Sequence, residues 1–250
     1  LYSSAASDVY KRQIMGSGGV IIPPEGYHQR MWEICQRYDL LYVADEVVTS
    51  FGRLGAFFAS EEVFGMQPDI ITTAKGLTSG YLPLGACIFS ERIWQVIGEP
   101  GKGRCFTHGF TYSGHPVSCV AALKNIEIIE RENLLAHVEE VGVYMEQRLQ
   151  TLAELPLVGS VRCKRLMACV EFVADKRTKA LLPDALNIAE RIHLRAQAKG
   201  LLVRPIGHLN VMSPPLIITR QQIDEIVATL RDCILEAAAE LRQNGQYLGQ

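Results

Sequence analysis

Two apolar runs each end on a chargeable residue: LLYVA (residues 40–44) leads into Asp45, and IITTA (residues 70–74) leads into Lys75. Turn-forming sequence follows both. Buried parallel strands deliver functional groups to the carboxyl edge of a sheet in this way. A buried lysine at a strand end is a candidate Schiff-base former, because desolvation lowers its pKa and leaves a nucleophilic amine. A buried aspartate nearby suits a cofactor that must hold a protonated ring nitrogen. Side chains alternate along a strand, so Asp45 and Val47 are expected on one side and Glu46 on the other, paired with Arg53 of the following FGR turn. The competing reading of Lys75 is an exposed lysine at a strand end, the commonest fate of that residue type. Its neighbours, residues 70–77, are otherwise uncharged.

The elements that must position these groups follow from periodicity. A helix is predicted over about residues 25–38, with Tyr27, Met31, Ile34 and Cys35 at helical spacing. Residues 40–46 and 69–75 form strands, ACIFS (86–90) a third, and residues 91–97 a short helix. Pro116 opens a helix as proline prefers, and Val117, Val120, Ala121, Leu123, Ile126, Ile129 and Leu134 carry its apolar stripe toward a second helical stretch ending near Leu152. Two strands follow between residues 154 and 173; their basic residues Arg162, Lys164 and Arg165 read as solvated. A helix over residues 183–199 should turn Ala185, Ile188, Ile192 and Leu194 inward and end at Gly200. Two short strands come next, and an amphipathic helix runs from Arg220 to about Arg242. Alternating strand and helix through residue 115 implies an α/β fold: an open, mostly parallel sheet flanked by helices, followed by a smaller α/β domain.

Two further groups can bind anions. Thr111 stands in FTHGFTYSGHP, a loop of glycines and small polar residues able to offer a hydroxyl and backbone amides to a phosphate, or to cap the next helix. Arg204 leaves a strand among apolar neighbours, where its planar fork could grip a carboxylate or form a salt bridge inside the small domain. His208 beside it reads as structural.

Composition excludes several classes. With 250 residues, 48% of them hydrophobic, the chain can bury a large core. A net charge of −2 and no basic run argue against nucleic acid or an anionic membrane as partner. No apolar segment approaches the roughly 20 residues that span a bilayer. The seven cysteines are scattered and odd in number, as in the reduced core of a cytoplasmic protein. Cys105, His108, His115 and Cys119 have only a loose zinc-like spacing, and no metal site is expected. LLYVADE alone would pass as the acidic strand of a nucleotide-binding ATPase, but no G-x-x-x-x-G-K-[ST] accompanies it. The glycines of GSGG (16–19) read as a connection, with no strand expected ahead of them.

ADEVVTSFGRLG, TTAKGLTSGYLPLGA and FTHGFTYSGHPVSCVAAL, in this order, resemble the motifs of the class III (omega) aminotransferases, pyridoxal phosphate enzymes of fold type I. The resemblance runs from about Gly16 to about Arg242. It implies pyridoxal 5'-phosphate as cofactor, Lys75 as the Schiff-base amine and proton carrier, Asp45 on the ring nitrogen and Val47 on the ring face. It also implies that Phe110 and Thr111 reach the cofactor phosphate of a neighbouring subunit, which makes a homodimer obligatory, and that Arg204 binds the carboxylate of an amino or keto acid. The implied reaction moves an amino group from an omega-amino acid, amine or diamine to a keto acid such as pyruvate. YSGHPVS and RPIGHLNVMSPPL lean toward the pyruvate-using branch. A decarboxylase, racemase or aminomutase of the same fold type would share Lys75 and Asp45, and a non-catalytic remnant would keep the fold alone.

The expected organisation is a leader foreign to the family over residues 1–13, part of a large cofactor-binding domain over 14–115, connecting helices over 116–152 and a small domain over 153–250. Members of the family carry a long segment ahead of the position of Gly16, with a glycine-serine phosphate-binding segment and an aromatic residue over the ring. The chain is therefore expected to be a later part of the enzyme, incomplete for activity on its own.

Overall fold

The computed structural model describes residues 8–98, 103 and 106–246. The chain forms two compact units, one of Leu1–Ile14 with Pro23–Leu135, the other of Met15–Ile22 with Ala136–Gln250.

In the first unit, β1 (Asp8–Arg12) precedes α1 (Tyr27–Arg37), β2 (Leu41–Asp45), α2 (Ala59–Glu62), β3 (Ile70–Thr73), a 3₁₀ turn (Lys75–Thr78), β4 (Ala86–Phe89), α3 (Glu91–Ile97) and α4 (Pro116–Arg131). The sheet order is β1-β2-β3-β4. β1 and β2 run parallel, as do β2 and β3, whereas β4 returns antiparallel to β3. The expected mostly parallel sheet is present. A strand does precede the glycine loop, however, and it lies within the stretch read as a leader.

β2 is buried from Tyr42 to Asp45, which is why it reads as a continuous apolar run. Tyr42, Ala44 and Cys35 of α1 pack with Met66 into a local core. His28 of α1 is buried too, and its Nε2 must donate to the Gln13 carbonyl (3.0 Å), which leaves Nδ1 to accept from the Tyr42 hydroxyl (3.0 Å).

α4 shows a second difference. Val117, Val120 and Leu123, expected inside, are exposed, and the buried positions are Ser118, Ala122 and Ile129. The helix is apolar on more than one side, so its sequence does not say which side meets the sheet.

The second unit contains α5 (Leu134–Gln150) from Ala136 onward, β5 (Val158–Lys164), β6 (Met167–Phe172), α6 (Ile188–Ala198), β7 (Arg204–Ile206), β8 (Leu209–Met212) and α7 (Arg220–Gln243). Its antiparallel sheet has the order β5-β6-β8-β7. One contiguous core joins α5, β6, α6 and α7 through residues such as Leu149, Phe172, Ile192 and Leu230. On α6, Leu194 is exposed and Ala189 and Ala196 are buried in its stead.

Arg162 and Arg165 are not solvated. Arg162 pairs with Glu171 (2.6 Å) and donates to the Gly19 carbonyl (2.7 Å), and Arg165 pairs with Glu139 (2.7 Å) and Glu146 (2.8 Å). Their partners lie far along the chain or across a strand pair, so local sequence does not reveal them. Gly19 has φ +93°, and a Cβ there would stand 2.7 Å from both the Arg162 guanidinium and Leu209 Cδ1, so glycine is required. This contact accounts for Met15–Ile22 clustering with the second unit, although the sequence placed it in the first domain.

Candidate active site at the carboxyl edge of the first sheet

β2 and β3 are adjacent and parallel, so both release their next residues at the same edge. Asp45 is in register with Thr72, which puts Lys75 three residues beyond the aspartate's partner on a strand about 4.8 Å away. The two groups singled out by the sequence are thus brought to one edge. Asp45 is buried, at 7% exposure, and one of its carboxylate oxygens accepts the Val47 N–H at 3.1 Å. That Asx turn ends β2 at Asp45. Strand alternation therefore stops before the half-buried Val47, and its position follows from the turn and not from the pleat.

Lys75 is exposed, against the expectation of a desolvated lysine. β3 stops at Thr73, Ala74 is extended with φ −163°, and Lys75 itself adopts φ +43° as it opens the 3₁₀ turn. A non-glycine residue in that region carries strain of order 1–3 kcal/mol and persists only where its surroundings hold it. Two neighbours do so. The next residue, Gly76, packs so closely that a Cβ would stand 3.1 Å from Phe51 Cβ and 3.2 Å from the Ser50 carbonyl. From α4, Asn125 Nδ2 donates to the carbonyls of Gly76 (2.8 Å) and Leu77 (3.2 Å).

The ends of β2 and β3 are also laced together. The Glu46 N–H donates to the Thr72 carbonyl (2.9 Å), while the Ser50 hydroxyl meets both the Glu46 carbonyl (2.6 Å) and Thr73 Oγ1 (2.5 Å). Glu46 is fully buried. Its carboxylate accepts the N–H groups of Ala59 (2.7 Å) and Ser60 (2.8 Å), the Ser60 hydroxyl and the Thr49 hydroxyl (3.2 Å). A carboxylate at the start of α2 satisfies donors that the helix leaves unpaired, and the orphan N–H groups there favour negative charge. Burial lowers the pKa of Arg53 to about 10. On the face that register assigns to Asp45, the Thr72 hydroxyl is buried without a hydrogen-bond partner among the described residues.

Phe110 and Thr111 lie on an exposed loop ahead of α4, with Phe110 79% exposed. The Phe110 N–H donates to the Ser113 hydroxyl (2.8 Å), and the N-cap of α4 is His115, so Thr111 does not cap the helix. Cys105 lies outside the described residues; among those described, no cluster of three or more His, Cys, Asp or Glu is arranged to hold a metal.

Arg204, in the second unit, is exposed at the start of β7 opposite Val211 of β8. It lines a groove of about 1000 Å³ with Leu202, Met212, Pro214 and Ile217. Among the described residues no carboxylate lies within ion-pair distance of it, so the alternative of a salt bridge inside the small domain is not realised there. His208 takes a structural role: its Nε2–H donates to the Leu182 carbonyl at 2.8 Å, with Asp184 3.8 Å away.

Ser50, Thr73 and Asn125 were not singled out by the sequence. The signal for Asn125 is its place in the series 118, 122, 125, 129, the buried face of α4, where a polar residue has to find a partner.

Residues 11–234 match the family described as aminotransferase class-III, and the chain belongs to that family. The putrescine–pyruvate aminotransferase of Pseudomonas aeruginosa is 41% identical over 90% of this chain and 49% of its own length. The diaminobutyrate–2-oxoglutarate transaminase of Halomonas elongata is 40% identical over 93% of this chain and 50% of its own. Among solved structures, an amine transaminase from an uncultivated Pseudomonas species, in a PLP-bound form, superimposes with a TM-score of 0.86 at 42% identity, covering 91% of this chain and 52% of that one. The fold is accordingly that of the PLP-dependent transaminases of fold type I. The chain spans about half the length of the curated relatives it matches.

Proposed function

We propose that this chain forms part of a pyridoxal-phosphate-dependent aminotransferase that moves an amino group from an amine, diamine or omega-amino acid to a keto acid such as pyruvate. The observation that carries the reading is the delivery of Asp45 and Lys75 to one sheet edge by adjacent parallel strands. The residues fit the cofactor. A buried carboxylate oriented by the Val47 N–H suits a protonated ring nitrogen, and the unpartnered Thr72 hydroxyl on the same face leaves a polar atom for a ligand to satisfy. Lys75 supplies the primary amine.

Pyridoxal phosphate, when bound, supplies an electron sink for the substrate carbon. Asp45 would hold the ring nitrogen in its protonated form, because an adjacent carboxylate favours the charged form, and Val47 would lie beside the ring. Lys75 takes a proton from the substrate carbon and returns it. Thr111 would offer its hydroxyl and N–H to the phosphate in a second copy's site, with Phe110 beside it. Arg204 grips the substrate carboxylate with its guanidinium fork. The named relatives, one using pyruvate and one 2-oxoglutarate, support a keto acid acceptor in this role.

Incubation with pyridoxal phosphate, borohydride reduction and mass-spectrometric mapping tests the assignment. The adduct is expected on Lys75 in preference to the other lysines, to be absent there in K75A, and to fall by on the order of ten-fold in D45N, the equivalent of about one pKa unit of lost charge stabilisation. An even spread over the lysines would overturn it.

A further inference from the structure

We propose that Asn125 is a positioning residue for Lys75, acting through the main chain of the turn that carries the amine. The inference rests on the function proposed above. Lys75 leaves β3 with a left-handed backbone, and a second non-glycine residue of the same short segment, Ser79 (φ +52°), is left-handed as well. A segment with this much unfavourable backbone relaxes unless outside groups hold it. The 3₁₀ turn is only four residues long, and the bonds that close it, Leu77 N–H to Ala74 O (3.0 Å), Ser79 N–H to Gly76 O (3.2 Å) and Gly80 N–H to Lys75 O (3.2 Å), are local and do not fix it to the rest of the fold.

Asn125 supplies the tether. Its amide nitrogen carries two hydrogens, and both are directed at this turn, at Gly76 O and Leu77 O, one and two residues past the amine-bearing position. It projects from the interior face of α4 together with Ser118, Ala122 and Ile129, so the donor is fixed by a 16-residue helix and not by a mobile loop. On the opposite side of the turn, Gly76 is pressed against Ser50 and Phe51, which follow Asp45 along the chain. The turn is therefore gripped between the segment that carries the aspartate and the helix that follows the Phe110–Thr111 loop. Correct placement of a reacting amine is worth orders of magnitude in rate. A helix side chain that never touches the substrate can control it.

The test uses N125D, which keeps the shape but presents a carboxylate without donors to two carbonyl oxygens, and N125Q, which keeps the amide. Should N125D fail to fold, N125S removes the reach without adding charge. Hydrogen exchange of the residue 73–81 segment is measured first, then the share of trapped adduct on Lys75 against the remaining lysines. In N125D both are expected to change by roughly ten-fold, the exchange faster and the Lys75 share lower, the size expected when both tethering bonds, each of modest net worth, are lost; N125Q should recover part of the Lys75 share. Unchanged exchange in N125D, or faster exchange with an unchanged Lys75 share, would overturn the inference. A parent chain with no preference for Lys75 would overturn the proposed function, and the exchange measurement would then decide by itself whether Asn125 holds the turn.

Discussion

Glu46 has no solvent exposure and accepts four hydrogen bonds, three of them from Ala59 and Ser60 at the start of α2. Truncating it strands those donors in the interior beside Asp45. E46A is expected to cost about 3 kcal/mol, the range for leaving several buried partners unsatisfied, read as a lower urea midpoint at unchanged slope. An effect below about 0.5 kcal/mol, the scale of a surface change, would contradict this account. The adjacent pair Asp45 and Glu46 was legible in the sequence as two acids on a strand end. What each meets was only half legible. The main-chain donors that Glu46 satisfies at the start of α2 are invisible to a reading of side-chain types. Lys75 shows the same limit. Its place after an apolar strand was readable, whereas its left-handed backbone depends on contacts from α4 some 50 residues away and its exposure does not follow from its uncharged neighbours.

α7 begins with a reciprocal cap. Thr219 Oγ1 accepts the Gln222 N–H (3.2 Å), and Gln222 Oε1 accepts the Thr219 N–H (3.0 Å). This motif is written in the sequence as T-x-x-Q ahead of an apolar-periodic run, and the helix starts at Arg220, where the amphipathic reading put it. T219A should cost about 1 kcal/mol, seen as a fall in thermal midpoint with the α7 residues first to exchange; no change in midpoint would show the cap to be idle. β2 and β3 were readable as short apolar runs ended by turn sequence, and α7 by one consistent helical period. α4 was not. Its apolar residues suit more than one face, and tertiary packing chose the face bearing Ser118 and Asn125.

At the level of the assembly, the first unit exposes Phe110 (79%), Tyr112 (80%), Val120 (64%) and Leu123 (67%) along one loop and the helix after it. Apolar side chains in such a run support a protein partner, and pairing with a second copy is the reading adopted above. Sedimentation equilibrium should give about twice 27.7 kDa for the parent chain and a single-chain mass for the double variant V120D/L123D; equal masses would remove this face from the pairing. Among the described residues no helix is long and apolar enough to cross a membrane. The sequence made the alternating strand-helix order and a later, smaller α/β unit legible. It did not show that residues 15–22 belong with the later unit, since that depends on a glycine carbonyl meeting an arginine 143 positions further on.

That contact has a consequence for how the molecule comes into being. During synthesis the Gly19 peptide emerges long before Arg162, and at about 5–20 residues per second the wait is on the order of ten seconds. The second unit therefore cannot mature as a self-contained late product of the ribosome. It must reach back to an early ribbon of chain, and a cut between residues 22 and 136 would hand each fragment a piece of the other's architecture.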